Sequence, residues 1–229
     1  MKKNSQNYQR LILLILVFNL LFSSASAVVT CGSYYDGPTC HTNTLDGGLY
    51  HTAGDKVIVN GVGNWGNNNR YYYIDTSFTS TYKTLAQNAV NSWIYTTSSV
   101  GVSTPISLKS TTVQTNSVFD ILVGSGLSSQ VYGQTRYYNS SGEIKPDSKQ
   151  VLLQNYSWAK CYINVTKLNS DGQSNSQKQS TIAHEFGHAM GLSEHNCKAY
   201  TIVCQTAEGR TATIPTAEDC HAINHLYNK

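Results

Sequence analysis

The stretch "STIAHEFGHAMGLSEHNC", Ser180 to Cys197, decides how the chain is read. On a helix, residues four apart share a face, so His184 and His188 are placed to grip one ion together. Ile182, Phe186, Ala189 and Met190 fall on a different arc, which is free to pack against a sheet. Glu185 sits beside the histidines but displaced around the helix, where it reaches a water in an open coordination position without having to bind the metal. Zinc suits such a set and lowers the pKa of its bound water to about 7. Glu185 is then the general base that takes the water's proton and later returns it to a leaving amine. His-Glu-x-x-His alone arises by chance. Here an amphipathic pattern carries it, and Gly191 follows where the helix must end. Glycine adopts at little cost the left-handed backbone that turns a chain out of a helix, which brings the next residues back towards the metal.

A catalytic zinc of this type takes a third protein ligand, and Glu194 and His195 stand side by side as candidates. Successive side chains of an extended segment point to opposite sides, so the two should not both reach one ion. A one-residue bulge after Gly191 would favour His195; a regular turn leaves the choice to spacing.

The first residues read as an export signal. Lys2, Lys3 and Arg10 form a basic start, Leu11 to Phe22 a short apolar run, and Ala25-Ser26-Ala27 a small-residue cleavage site. Residues 1–27 are therefore expected to be removed and the protein secreted. No later stretch is apolar enough for a membrane anchor. The chain holds 16 Lys+Arg and 13 Asp+Glu; without Lys2, Lys3 and Arg10 the count is 13 against 13. A near-neutral protein with sparse charge gives no electrostatic footprint for nucleic acid or anionic lipid. A monomer acting on a protein or peptide is expected.

All six cysteines, Cys31, Cys40, Cys161, Cys197, Cys204 and Cys220, lie in the exported part. An oxidising compartment favours disulfides, although six cysteines allow 15 pairings. Cys31 with Cys40 brackets a turn-rich loop. Cys204 with Cys220 and Cys161 with Cys197 would complete the set.

Residues 28–54 are rich in Gly, Thr, Asp and Tyr without periodicity and read as an irregular segment ahead of the domain at 55–229. "KVIVNGVGNWGNNNRYYYIDTSF" gives a strand signal, a Gly/Asn loop and a second strand at Arg70 to Asp75. Between Thr81 and Tyr95 apolar residues recur at helical spacing. "ISLKS", "FDILVG", "GQTRYYN" and "QVLLQN" read as short strands, and "LNSDGQSNSQ" as a polar loop before a helix that begins near Gln177. Thr216 and Asp219 frame the start of a last helix with Cys220, Ile223, Leu226 and Tyr227 on its buried side. The class is α+β.

"HEFGHAMGLSE" resembles the extended zinc signature of metzincins, His-Glu-x-x-His-x-x-Gly-x-x-His/Asp, and its wording is closest to the matrixin branch. "GVGNWGNNNRYYYID" looks like the first core strand region of bacterial matrixin-like proteases, and "PTAEDCHAINHLY" like their closing helix. The resemblance implies a twisted, mostly parallel sheet with two helices above a shallow cleft, and a small irregular C-terminal subdomain ending in a helix. It also implies a zinc endopeptidase in which His184 and His188 are ligands and Glu185 is the base. The third ligand of the pattern falls ten residues after His184, at Glu194; His195 is the alternative.

The chain departs from the family in two places. The methionine that metzincins place in a tight turn beneath the metal is missing: "YTIVCQ" stands there, with Val203 at the expected position and Cys204 beside it. No Pro-Arg-Cys-Gly latency motif is present, since the Cys-Gly at Cys31 has Cys40 close by. A secreted binding module that keeps the fold but has little catalysis is therefore the alternative, and an intact Glu185 favours the enzyme. His221 and His225 are also four apart, but no acidic residue or glycine turn accompanies them. Asp147 and Asp171 leave a structural calcium open without a dedicated loop.

Overall fold

The computed structural model describes residues 33–36, 39–42, 56–63, 70–146, 152–192 and 199–227. Ser33–Asp36 (β1) and Thr39–Thr42 (β2) pair antiparallel, a hairpin inside the segment that reads as irregular. The main sheet has six strands: Arg70–Ile74 (β3), Leu108–Thr111 (β4), Phe119–Val123 (β5), Gly133–Asn139 (β6), Gly142–Ile144 (β7) and Trp158–Ile163 (β8). Their order is β4-β3-β5-β8-β6-β7. The first four in that order run parallel, while β6 is antiparallel to both β8 and β7. With its helices this is an α+β fold on a mostly parallel sheet.

Two 15-residue helices cover one face, Ser80–Ile94 (α1) and Asn175–Ala189 (α4). Thr79 caps α1 by accepting from the Tyr82 N–H. Ser174 and Gln177 form a reciprocal capping box on α4, which satisfies amide donors that a helix start leaves orphaned. Thr96–Val100 (α2) and Val165–Ser170 (α3) are short, and Ala217–Leu226 (α5) closes the chain behind its Thr216–Asp219 capping box. Among the described residues no helix is long and apolar enough to cross a membrane.

The core lies between the sheet and the two long helices. Phe119 of β5 meets Phe186 of α4 edge-on at 5.3 Å, with Ile121, Ala159, Cys161 and Ile163 beside them. Trp93 of α1 is fully buried, and its indole N–H donates to the Ala183 carbonyl of α4 at 2.9 Å. Gly187 makes that approach possible: a Cβ there would stand 3.0 Å from the Trp93 ring and 3.1 Å from Val203. Trp93→Ala is expected to lower unfolding stability by about 3–5 kcal/mol, because it removes an aromatic core side chain and a buried hydrogen bond together. Chemical denaturation measures it, and a loss under about 1 kcal/mol would mean the helices pack without the indole.

The structure corrects three sequence readings. β8 was hidden because its outward residues, Trp158, Lys160 and Tyr162, are as large and partly apolar as its buried ones, so no clean alternation shows. Conversely, 152–155 of "QVLLQN" form no strand: Leu152 is buried, Leu153 points to solvent, and the neighbouring Tyr156 makes only an isolated bridge to Ile58. The polar loop is also shorter, since α3 runs to Ser170, capped by Asn164.

Candidate active site

The pair His184 and His188 lies on the last turns of α4, where every residue from Ser180 to Ala189 is buried. This is no solvated surface helix. His184 Nδ1 sits 2.8 Å from the Ile202 carbonyl, and His188 Nδ1 sits 2.9 Å from the Leu192 carbonyl. A carbonyl only accepts, so each ring carries its proton on Nδ1 and presents a bare lone pair on Nε2. Those two Nε2 atoms face one another at 2.9 Å. Two lone pairs at that distance repel unless a cation lies between them. The donor set fits a zinc-like ion, with ring tautomers fixed by backbone partners as metal-bound histidines usually require. Burial holds His184 well below its ordinary pKa, with the charges of Arg210 and His188 acting the same way and the Ile202 hydrogen bond opposing. The neutral ring that results is the metal-binding form.

The Glu185 carboxylate reaches β6. Thr135 Oγ1 lies 2.8 Å from Glu185 Oε2 and 2.8 Å from the Glu185 carbonyl. A hydroxyl has one proton, so Thr135 serves only one of these acceptors while Glu185 is ionised. Once Oε2 carries a proton it donates to Thr135 Oγ1, which then donates to the carbonyl, and both contacts are satisfied. Gly133 opens the space, since a Cβ there would stand 2.6 Å from Glu185 Oε1. These residues line a cleft of about 520 Å³ bounded by β6, α4 and the segment from Gln205 to Arg210.

Beside the site runs the turn from Thr201 to Cys204. Val203 is fully buried against Gly187 and supplies an apolar floor. The turn is held from two sides. Asp219 Oδ2 accepts the Ile202 N–H at 3.0 Å while it caps α5, and Arg210 Nη1 donates to the Ile202 and Cys204 carbonyls at 3.3 and 3.1 Å. Burial raises the Asp219 carboxyl to about 6 against its hydrogen bonds from Ile202 and Thr216.

The far end of α4 is closed by three tyrosines. Tyr137, Tyr156 and Tyr227 donate to the carbonyls of His188, Ala189 and Met190 at 3.1, 2.7 and 2.7 Å. A helix end leaves such acceptors without partners, and hydroxyls from three separate elements satisfy them. Gly191 follows with φ +105°, the left-handed turn expected of it. It also leaves room for the Lys56 carbonyl, which a Cβ would meet at 3.0 Å.

Glu194, His195 and Cys197 lie outside the described residues, as do the export signal, Cys31 and Asp147. Among the described residues no third His, Cys, Asp or Glu joins the histidine pair. Cys161, Cys204 and Cys220 are buried, and no disulfide joins them among the described residues; Cys197, the expected partner of Cys161, lies outside those residues. Cys161 instead donates its S–H towards the Glu185 carbonyl, and burial first, then the Glu185 charge, pushes its pKa well up, so the thiol is inert. His221 and His225 sit on α5 away from any metal-ligating cluster among the described residues. Asp171 is engaged by Lys167 and Tyr132. Thr135, Gly133, Arg210 and the three tyrosines carry no sequence signal, because each reaches the motif from a distant element.

No family model matches the chain, and no curated protein matches it either.

Proposed function

We propose that the protein is a secreted zinc-dependent endopeptidase of metzincin-like, matrixin-type character that cleaves internal bonds of proteins or peptides. The observation that carries this reading is the pair of Nε2 lone pairs facing one another at 2.9 Å, each fixed by a carbonyl behind its ring, with Glu185 beside them on the cleft wall. His184, His188 and Glu194, with His195 as the alternative, would hold the ion. When bound, zinc supplies Lewis acidity, which makes water a nucleophile near neutral pH and polarises a carbonyl.

The chain's own residues do the rest. Glu185 removes a proton from the attacking water and delivers it to the departing amine nitrogen, so the same carboxylate serves both halves of the reaction. Thr135 holds that carboxylate in place in both protonation states. The parallel sheet with two packed helices agrees, at the level of architecture, with what the motif resemblance implies.

Digestion of casein or gelatin by the mature protein, with and without a chelator, tests the reading. Hydrolysis that survives full metal removal would refute it. Zinc titration of Glu194→Ala and His195→Ala assigns the third ligand. The Glu194 variant is expected to lose roughly 100-fold or more in affinity, beyond what loss of an outer-shell partner costs, and the His195 variant to stay close to wild type. The reverse result would mean that the chain bulges after Gly191.

A further inference from the structure

Arg210 is half-buried on the cleft wall beside the histidine pair, and only part of its guanidinium is used by the protein. Nη1 clamps the Ile202 and Cys204 carbonyls. The Nε–H and Nη2 donors make no hydrogen bond among the described residues, and neither atom is sealed from solvent. No described carboxylate comes within ion-pair distance of the group, although Glu185 is near enough to support its charge. Burial lowers the Arg210 pKa only to about 10, so the cation persists at neutral pH. Among the described residues, Thr181, Gln205, Thr206 and Ala207 of the same cleft carry no charge, and Glu185 is the carboxylate that acts on the group most.

A half-buried guanidinium with unused donors offers a planar fork that matches a carboxylate better than any single carbonyl. Its position is also fixed relative to the chemistry. The Ile202 carbonyl accepts from Arg210 Nη1 at 3.3 Å and from His184 Nδ1 at 2.8 Å, so one oxygen links the cation to the metal-facing ring. Arg210 and His184 line the same cleft, so a ligand held by the free side of Arg210 shares that cleft with the histidine ring.

We infer that Arg210 is a specificity residue that selects substrates carrying an aspartate or glutamate side chain close to the cleaved bond, on the side of the cleft formed by residues 205–210. This rests on the endopeptidase reading, and it goes beyond it by naming the substrate class. Arg210 also braces the turn, so loss of rate alone would not separate the two roles. A ratio between matched peptides does.

The test uses fluorescein-labelled decapeptides that differ only in a Glu or Gln placed at each successive position. Cleavage is followed with wild-type protein, and binding with the zinc-loaded Glu185→Ala variant, with and without Arg210→Gln. Wild type is expected to prefer Glu over Gln by roughly tenfold or more at one position near the cleaved bond, and binding to show the same preference, since a charge-assisted hydrogen bond is worth about that. Arg210→Gln should bring the ratio to about one. Thr206→Glu, which adds an anion to the same cleft wall without removing the turn clamp, should do the same and covers the case in which Arg210→Gln fails to fold. Equal handling of Glu and Gln peptides by wild type, or a preference that survives both substitutions, overturns the inference. So does an equal loss for both peptides in Arg210→Gln with the Thr206→Glu ratio unchanged, because that is the signature of bracing alone. Selective binding without any cleavage would keep Arg210 and reject the peptidase; cleavage without selectivity would do the reverse.

Discussion

Replacing Glu185 with alanine is expected to lower peptide hydrolysis by roughly 10²–10⁴-fold while zinc remains bound. The ligands proposed for the metal are His184, His188 and a residue beyond Gly191, and none depends on the Glu185 side chain for its orientation. His184 is steered by the Ile202 carbonyl and His188 by the Leu192 carbonyl, both on the opposite side of the rings. Glu185 instead faces β6, where Thr135 holds it. The base and the metal are thus separable by mutation. Zinc content measured beside kcat/KM checks both halves, and activity within about threefold of wild type would remove Glu185 from its role.

Gly133→Ala is expected to approach that loss without altering any group proposed to take part in the chemistry. The added methyl would stand 2.6 Å from Glu185 Oε1, 2.7 Å from Cγ and 2.8 Å from the carboxyl carbon. Glu185 is only 5% exposed, with Thr135 against its far oxygen, so it has little space to retreat without breaking that contact. A displacement of about 1 Å in a catalytic group costs about a hundredfold, and that is the size of the fall in kcat/KM expected here. Zinc affinity should be unchanged. A variant that loses zinc as well would show that β6 supports the whole motif rather than the base alone, and one that keeps full activity would show that Glu185 swings freely.

Much of this architecture was legible in the chain. The periodicity of Leu85, Ala89, Val90 and Trp93 marked α1, the Thr216–Asp219 spacing marked the capping box of α5, and the strands at Arg70, Phe119 and Gly133 stood out between Gly- and Asn-rich turns. Spacing also placed His184, Glu185 and His188 on one helix and Gly191 at its exit. These features depend on neighbours within a few residues, so one-dimensional pattern suffices to reveal them. β8 was lost by the same logic. Alternation shows only when the outward face is plainly polar, and Trp158 and Tyr162 are not.

What the sequence by itself determined is therefore the local chemistry: a helix carrying two histidines and a carboxylate, stopped by a glycine. Only the tertiary structure decided how those groups are poised. The lone pairs of the two rings converge because Ile202 and Leu192 supply carbonyls, and Glu185 is aimed because Thr135 and the empty space at Gly133 face it across 50 residues of chain or more. Tyr137, Tyr156 and Tyr227 were three among 16 tyrosines until the fold brought their hydroxyls to one helix end. The physical reason is common to all of them. A hydrogen bond or a disulfide needs two groups within a few ångströms, and residue spacing along a strand or helix carries no record of which distant segment will arrive there.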